Sequence, residues 1–126
     1  MSEDSLRPEL RWAIEAAQSK KAADVTVLDL HELSAFTDYF LLCSGFSSRQ
    51  IQAISEAIEE QLGRRGVFLS HREGDEAAEW VLLDYGDFVA HIFSERARLY
   101  YDLERLWRAA RRIEIPDRDA REAVER

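Results

Sequence analysis

Two aspartates in the stretch 79–93 are the residues whose type and spacing most resemble a chemical site. Asp84 and Asp87 bracket a short polar break between two apolar segments. Such a pair could hold a divalent metal against a phosphate, or exchange protons. Aspartate is also common in turns, because its side chain bonds nearby backbone amides. Since no third ligand is placed, turn chemistry or partner contact is favoured over catalysis by roughly four to one.

Two aromatic residues accompany these aspartates and suit recognition. Trp80 opens the first apolar segment and Tyr85 lies in the break. Tryptophan usually buries most of its area, so a core position for Trp80 is favoured in roughly two cases of three. The alternative is an interface anchor, a role in which Trp and Tyr are over-represented. Strand alternation puts the two on opposite faces, but a twist into the turn could bring both to one rim.

Other candidate sites are weaker. The segment 44–49 lies where backbone amides can bind an anion, but it lacks a Walker lysine, and a capped helix start is favoured by about three to one. Cys43 sits in an apolar run and is expected to be a buried small hydrophobe. The three histidines lack metal-ligand spacing, and His91 is expected to be a packed, hydrogen-bonded imidazole. The sequence therefore predicts no active site, metal, cofactor or small-molecule substrate.

Composition and charge narrow the class of partner. The 126-residue chain has a formal net charge of -8. Residues 94–126 hold nine Arg and eight acidic residues, which leaves eight basic and seventeen acidic residues in 1–93. An acidic N-terminal three quarters favours a basic protein partner over naked nucleic acid. No apolar run reaches bilayer length, no secretory signal is visible and there is one cysteine, so a reduced, cytoplasmic location without membrane contact is expected.

The elements that must position these residues begin with a hairpin over 79–93, in which Gly86 supplies the turn. Both of its strands are expected in the middle of a sheet, with both faces covered. Before it we expect a helix over 6–20 capped by Ser5, strands over 25–30 and 38–44, and a short edge strand over 67–70. A helix starting with the Ser47–Gln50 capping box should bury Ile51, Ile54, Ile58 and Leu62.

After the hairpin, Ser94 is expected to cap a third helix with two distinct faces. Its buried seam would comprise Leu99, Leu103, Leu106 and Trp107. The opposite face carries Arg98, Arg105, Arg108 and Arg112, for which solvent exposure is favoured over RNA contact by about two to one. The predicted fold is a single α/β domain over 1–112 with a mixed five-stranded sheet flanked by helices. A charged tail over 113–126, a candidate for disorder, would follow.

Several segments in order resemble the ribosomal silencing factor (Iojap) family between residues 6 and 107. The most specific are the Trp-Val-Leu-Leu-Asp-Tyr-Gly-Asp block at 80–87 with His-Ile-Phe at 91–93, and Leu-Glu-Arg-Leu-Trp at 103–107. Weaker matches cover 25–30, 37–40, 43–45 and 48–50. The resemblance implies a nucleotidyltransferase-like fold without catalytic carboxylates, and therefore a protein that is not an enzyme.

The same resemblance implies a function. Family members bind the large ribosomal subunit through its fourteenth protein, block joining of the small subunit and damp translation when nutrients are short. The contacts carried over are Trp80, Asp84, Tyr85 and Asp87, and a homodimer is also implied. Two alternatives stay open: a large-subunit assembly factor using the same contact, and a nucleotidyltransferase-like enzyme using the two aspartates.

Overall fold

The computed structural model describes residues 6–117, and these form six strands and four helices. In chain order the helices are α1 Pro8–Ser19, α2 Ser48–Arg64, α3 Glu95–Tyr101 and α4 Leu103–Leu106. The strands are β1 Ala23–Asp29, β2 Tyr39–Gly45, β3 His71–Glu73, β4 Trp80–Asp84, β5 Phe88–Ser94 and β6 Arg111–Glu114. Within these residues, no helix has both the length and the apolar character needed to cross a membrane.

The strands form a single mixed sheet in the order β3-β4-β5-β2-β1-β6. β2 and β5 run parallel at the centre, with Leu42 beside His91, and the pairs around them are antiparallel. The predicted single α/β domain with a mixed sheet is confirmed, but the sheet has six described strands rather than five. The central position of β2 and β5 is confirmed, whereas β4 alternates between buried and half-buried residues.

Helices α1 and α2 cover one face of the sheet, and this is where the larger core lies. The predicted seam of α2 is fully buried against alternate residues of the strands, among them Val27, Leu41 and Ile92. The Ser47 hydroxyl accepts from the Gln50 N–H at 3.1 Å, as the capping box predicts. Helix α1 begins at Pro8, with Arg7 in the cap position and no side-chain cap bond, and the predicted cap residue Ser5 lies outside the described residues.

The other face of the sheet carries a smaller core. Here Leu28, Phe40, Leu42 and Phe93 pack beneath α3 and α4, and Trp107 meets the Phe40 ring edge-on at 5.9 Å between centroids. This face includes the outward residues of β4. Because the covering helices are short, much of their own surface stays open to solvent.

The predicted third helix is wrong in its second half. The chain leaves helical geometry at Asp102, whose φ of +48° is left-handed, and restarts as the single turn α4. Leu99, in α3, and Leu106, in α4, are exposed to 77% and 73%, while Leu103 and Trp107 pack on the smaller core. Helical spacing of apolar residues therefore did not define one buried seam.

Two edges of the sheet also differ from expectation. The strand predicted over 67–70 is irregular, and β3 lies just after it, where Arg72 pairs with Leu83 of β4 and its guanidinium binds Glu59 at 2.7 Å. At the opposite edge, β6 pairs with β1 and buries Ile113 and, just beyond it, Ile115. The sheet thus continues past the boundary predicted at residue 112, and residues 118–126 of the predicted tail lie outside the described residues.

Candidate functional site

The β4–β5 hairpin positions all four predicted contact residues. Its turn is formed as the sequence predicts: Gly86 has φ of +85°, and the Tyr85 N–H donates to the Phe88 carbonyl at 2.9 Å. The Asp84 carboxylate accepts from the Gly86 N–H at 2.8 Å, which is the usual local bond of a turn aspartate. Asp84 therefore stabilises the turn in addition to presenting negative charge there.

Trp80 lies at the far end of the hairpin, opposite Phe93, and is half-buried. Its ring stacks on Phe93 at 5.0 Å and contacts Tyr101 of α3 at 4.5 Å between centroids. Its indole Nε1–H donates to Nδ1 of His91 at 3.0 Å. The ring is thus held on three sides and contributes its remaining surface to a groove.

This groove, which we call the Trp80 groove, runs between the start of β4 and helix α3. Its volume is about 530 Å³, and its lining residues are Ala78, Glu79, Trp80, Arg96, Ala97, Tyr100 and Tyr101. Tyr100 is 80% exposed and meets the Tyr101 ring edge-on at 5.1 Å. The walls are therefore aromatic and apolar, and they are accessible to another molecule.

An ion pair forms the polar rim of the Trp80 groove. The Arg96 guanidinium binds the Glu79 carboxylate at 2.7 Å, and the Ser94 hydroxyl donates to the same carboxylate at 3.1 Å. The hydrogen bond from Arg96 holds the pKa of Glu79 below its ordinary value. Glu79 thus stays ionised, and the rim carries one charge of each sign.

Tyr85 lies on the opposite face of the sheet from Trp80. It packs against the larger core and stacks on Phe88 at 5.0 Å. Its hydroxyl oxygen is buried without a hydrogen-bond partner among the described residues, and burial raises the pKa of this phenol to about 12. The exposed part of Tyr85 is therefore the ring, not the hydroxyl.

Asp87 projects into solvent beside the N-terminus of α1. Arg7 binds the Asp87 carboxylate at 3.2 Å and the Asp38 carboxylate at 2.6 Å. The Asp87 carbonyl also accepts from the Asp38 N–H at 3.0 Å. One arginine thus neutralises part of the negative charge at this end of the sheet.

The structure does not gather the four predicted residues into one patch. Asp84, Tyr85 and Asp87 lie at the turn. Trp80 lies at the other end of β4, four residues before Asp84, which corresponds to about 13 Å at ordinary strand rise. Strand alternation separates the Trp80 and Tyr85 rings onto opposite faces, and the twist considered from the sequence does not reunite them. Trp80 instead joins Tyr100 and Tyr101, which sequence reasoning missed, although the adjacent tyrosines were a visible signal.

The other chemical candidates are placed in structural roles. Cys43 is buried, and burial raises the pKa of its thiol to about 12, which disfavours the nucleophilic thiolate. Within residues 6–117, no group of three or more His, Cys, Asp or Glu side chains is arranged to hold a metal ion. The loop before α2 is a capped helix start, with the Phe46 N–H donating to the Gln50 side-chain oxygen at 2.6 Å.

The prediction that Arg98 lies on an exposed arginine face is wrong. Its side chain is only 11% exposed and lies in a second cleft of about 650 Å³. The guanidinium donates to Glu104 at 2.9 Å, to the Ser44 hydroxyl at 3.1 Å and to the Thr26 hydroxyl at 3.2 Å. Arg98 is therefore committed to internal bonds rather than to solvent or RNA, because it ties α3 to the sheet.

Fold and site together define a small mixed α/β domain whose candidate site is an aromatic surface groove rather than a set of converging catalytic groups. Residues 3–126 match the model of the family described as ribosomal silencing factor during starvation, and the chain belongs to this family. The match extends beyond Trp107, where the resemblance seen in the sequence ended. Membership connects the chain with the ribosome and with regulation of translation.

Individual relatives agree with this membership. The chain is 43% identical over 98 residues to the ribosomal silencing factor RsfS of Bacillus subtilis, covering 78% of this chain and 83% of the relative. It is 40% identical over 106 residues to RsfS of Halalkalibacterium halodurans, covering 84% and 91%. The crystal structure of protein CV0518 from Chromobacterium violaceum superposes with a TM-score of 0.76 at 36% identity, covering 79% of this chain and 82% of that one.

Proposed function

We propose that this protein represses translation by steric exclusion. It binds the large ribosomal subunit through that subunit's fourteenth protein and prevents the small subunit from joining when nutrients are limited. The site of action is the cytoplasm, where subunits join, and the proposal assigns the chain no catalytic step. Membership in the silencing family supports the ribosome as the target, and the surface of the domain supports the mode of binding.

The observation that carries the proposal is the Trp80 groove. A half-buried tryptophan and two tyrosines open to solvent there, and the exposed Leu99 adds to the apolar surface of α3. Contiguous exposed apolar surface commonly marks a protein interface, and Trp and Tyr are the residues most often found at binding hot spots. Trp80 is already held by its neighbours, so little side-chain entropy is lost when a partner covers it.

Charge supports a basic partner. The chain has a net charge of -8, and its turn end carries Asp38, Asp84 and Asp87 with Arg7 as the nearby cation. An acidic surface accelerates encounter with a positively charged partner and disfavours phosphate backbones. The protein component of the large subunit is therefore a better fit to this surface than its RNA.

The four carried-over residues receive different roles in this proposal. Trp80 anchors a partner side chain in the groove, and the charges of Asp84 and Asp87 attract the partner over a longer range. Tyr85 supports the turn through its ring, since its hydroxyl is buried. The two ends of β4 lie about 13 Å apart, a span that one interface of ordinary size covers.

Blocking then follows from size alone. A domain of this length has a radius of gyration of about 14 Å, so a bound copy keeps apart two surfaces that must come into contact when subunits join. This mechanism requires only that binding compete with subunit association. Anchors such as Trp80 would need to contribute about 2 kcal/mol or more each.

Sedimentation on a density gradient tests the proposal. We expect wild type to migrate with purified large subunits and to lower the yield of joined particles when small subunits are added. Trp80→Ala should weaken binding about 30-fold, the equivalent of about 2 kcal/mol. Phe68→Ala is the matched control, because it removes an exposed aromatic ring outside the groove.

Three outcomes would contradict the proposal or a part of it. Wild type that ignores large subunits would refute ribosome binding, and wild type that binds without lowering the yield of joined particles would refute exclusion and favour a role in assembly. If Trp80→Ala and Phe68→Ala both bind like wild type, the contact lies elsewhere. Light scattering of the free protein gives its molar mass before the binding experiment, and thereby tests whether it forms the homodimer that the resemblance implies.

A further inference from the structure

His91 is a buried histidine whose imidazole makes one hydrogen bond among the described residues, to Trp80. It lies on β5, on the face of the smaller core, and is 3% exposed. Its Nδ1 accepts from the Trp80 indole Nε1–H at 3.0 Å. The Phe40 ring meets it edge-on at 4.5 Å and Phe93 stacks at 6.0 Å. The imidazole is therefore fixed by packing on one side and bonded to the indole on the other.

The geometry sets the protonation of the imidazole. Because Nδ1 accepts the indole hydrogen, the proton of the neutral ring is on Nε2. Burial lowers the pKa of His91 to about 3, which keeps the ring neutral and the Nδ1 lone pair available. Nε2 is buried without a partner among the described residues. An apolar side chain would avoid this unsatisfied donor, so packing alone does not favour histidine here.

The other contacts of Trp80 do not fix its orientation as strictly. Its stacking on Phe93, with planes 28° apart, and its tilted contact with Tyr101 both tolerate sliding or rotation of the ring. A hydrogen bond weakens steeply when its angle departs from linearity. The bond to His91 is thus the directional restraint that selects one orientation of the indole.

We propose that His91 is a positioning residue for Trp80: by accepting the indole N–H, it fixes the ring in the orientation that lines the Trp80 groove, so that the partner meets a preformed anchor. The inference rests on the proposed function, in which Trp80 is that anchor. His91 itself is buried and contacts no partner, so its effect on binding passes through the tryptophan.

Two substitutions whose side chains have nearly the same shape as each other distinguish this positioning role from a packing role. His91→Asn places a carbonyl oxygen near the position of Nδ1 and keeps an acceptor, whereas His91→Leu has nearly the same shape without one. The Nε1–H of Trp80 is followed by ¹⁵N NMR. The chain has three tryptophans, and the indole resonance that disappears in Trp80→Phe is assigned to Trp80. Its solvent exchange is measured together with co-sedimentation on large subunits.

We expect His91→Leu to accelerate exchange of this proton about tenfold and to weaken subunit binding about fivefold, while His91→Asn keeps both within about twofold of wild type. Combining His91→Leu with Trp80→Phe should weaken binding no further than Trp80→Phe alone, because the bond is already absent. Rescue by the asparagine and this lack of additivity are readouts that a merely structural role would not produce.

Three results would overturn the inference: equal exchange rates in the asparagine and leucine variants, unchanged binding of His91→Leu once its indole proton exchanges freely, or additive effects in the double variant. If His91→Leu does not fold, the comparison of His91→Asn with wild type decides, since loss of protection despite a retained acceptor contradicts the role. Wild type that fails to bind subunits refutes the proposed function instead, and the exchange rates still decide whether His91 fixes the indole.

Discussion

The guanidinium of Arg98 donates a hydrogen bond to the main-chain oxygen of Asp24, 2.6 Å away, and so links α3 to β1. Asp24 has a left-handed φ of +49° and lies in an irregularity of the β1–β2 register between Ala23 and Thr26. The bulge directs its carbonyl out of the ladder, where a side chain can reach it. This one arginine thus joins two segments that are 74 residues apart in sequence.

Arg98→Ala should therefore destabilise the fold, although the sequence places this arginine on a polar face. Removing it leaves the Asp24 carbonyl and the Ser44 and Thr26 hydroxyls without this donor, while Glu104 keeps Arg112 at 2.6 Å, so we expect a loss of about 2 kcal/mol in the free energy of unfolding. Arg105→Ala, at an exposed position, should change it by less than about 0.5 kcal/mol. Urea unfolding measures both, and equal effects would contradict the assigned role.

The elements predicted well are those in which local pattern and tertiary environment agree. β2 is buried on both faces and becomes a central strand, and the predicted apolar seam that follows the Ser47 cap becomes the buried side of α2. The hairpin turn follows from Gly86, since few other residues tolerate its φ. In these segments burial and local propensity favour the same conformation, so the local sequence pattern is sufficient to predict the element.

The elements predicted wrongly depend on distant contacts. Leu99 and Leu106 have the spacing of a buried seam, but the left-handed Asp102 redirects the chain between them. The sequence of β6 resembles the start of a charged tail. The strand forms because Ile113 pairs with Val27 of β1. The Trp80 groove also depends on a distant contact, because its tyrosines come from a helix about twenty residues later. The adjacent Tyr100 and Tyr101 are visible in the sequence, but nothing in the local spacing indicates that they meet Trp80.

Tyr85→Phe should leave stability and binding intact. The hydroxyl is buried without a partner, so its removal should raise the free energy of unfolding by about 0.5 kcal/mol or leave it unchanged. Tyr85→Ala also removes the ring stacked on Phe88 and should cost about 3 kcal/mol. Thermal and urea unfolding give the values, and a clear loss in the phenylalanine variant would mean that the hydroxyl has a partner.

Acidification should destabilise the wild type more than His91→Asn. Burial lowers the pKa of His91 to about 3 in the folded protein, against about 6.5 when unfolded. Between these values the unfolded state binds a proton that the folded state does not, so stability falls as pH falls, by roughly 1 kcal/mol per pH unit. Urea unfolding from pH 7 to pH 4 measures the difference between the proteins, and parallel curves would show that His91 titrates normally.

Gly74 should be essential for the start of β4, where Trp80 lies. Its φ is +104°, and a Cβ added there would lie 2.7 Å from the Trp80 carbonyl oxygen. Gly74→Ala should therefore cost about 3 kcal/mol and disturb the Trp80 groove. Gly66→Ala is the matched control, because its φ is +79° but its Cβ would meet nothing within 4 Å, so only about 1 kcal/mol is expected. Similar losses of stability in the two variants would mean that crowding at Gly74 is relieved by a backbone shift.

Arg7 and Asp87 should affect the rate of association in opposite directions. Asp87 is exposed and is partly neutralised by Arg7 at 3.2 Å. If the partner is basic, Asp87→Asn should slow association about threefold at low salt, and Arg7→Gln should accelerate it by a similar factor. Arg7 makes no side-chain cap bond to α1, so its replacement leaves the helix start intact.

Salt separates this long-range effect from a direct contact. Both rate changes should disappear at about 0.5 M salt, where charges more than a few ångströms apart are screened, while dissociation rates stay near that of wild type. Stopped-flow binding to large subunits provides both rates. If both variants slow association equally, the ion pair matters as a structural contact and the turn does not attract the partner by charge. A slowing by Asp87→Asn that persists at high salt would instead place this carboxylate inside the interface.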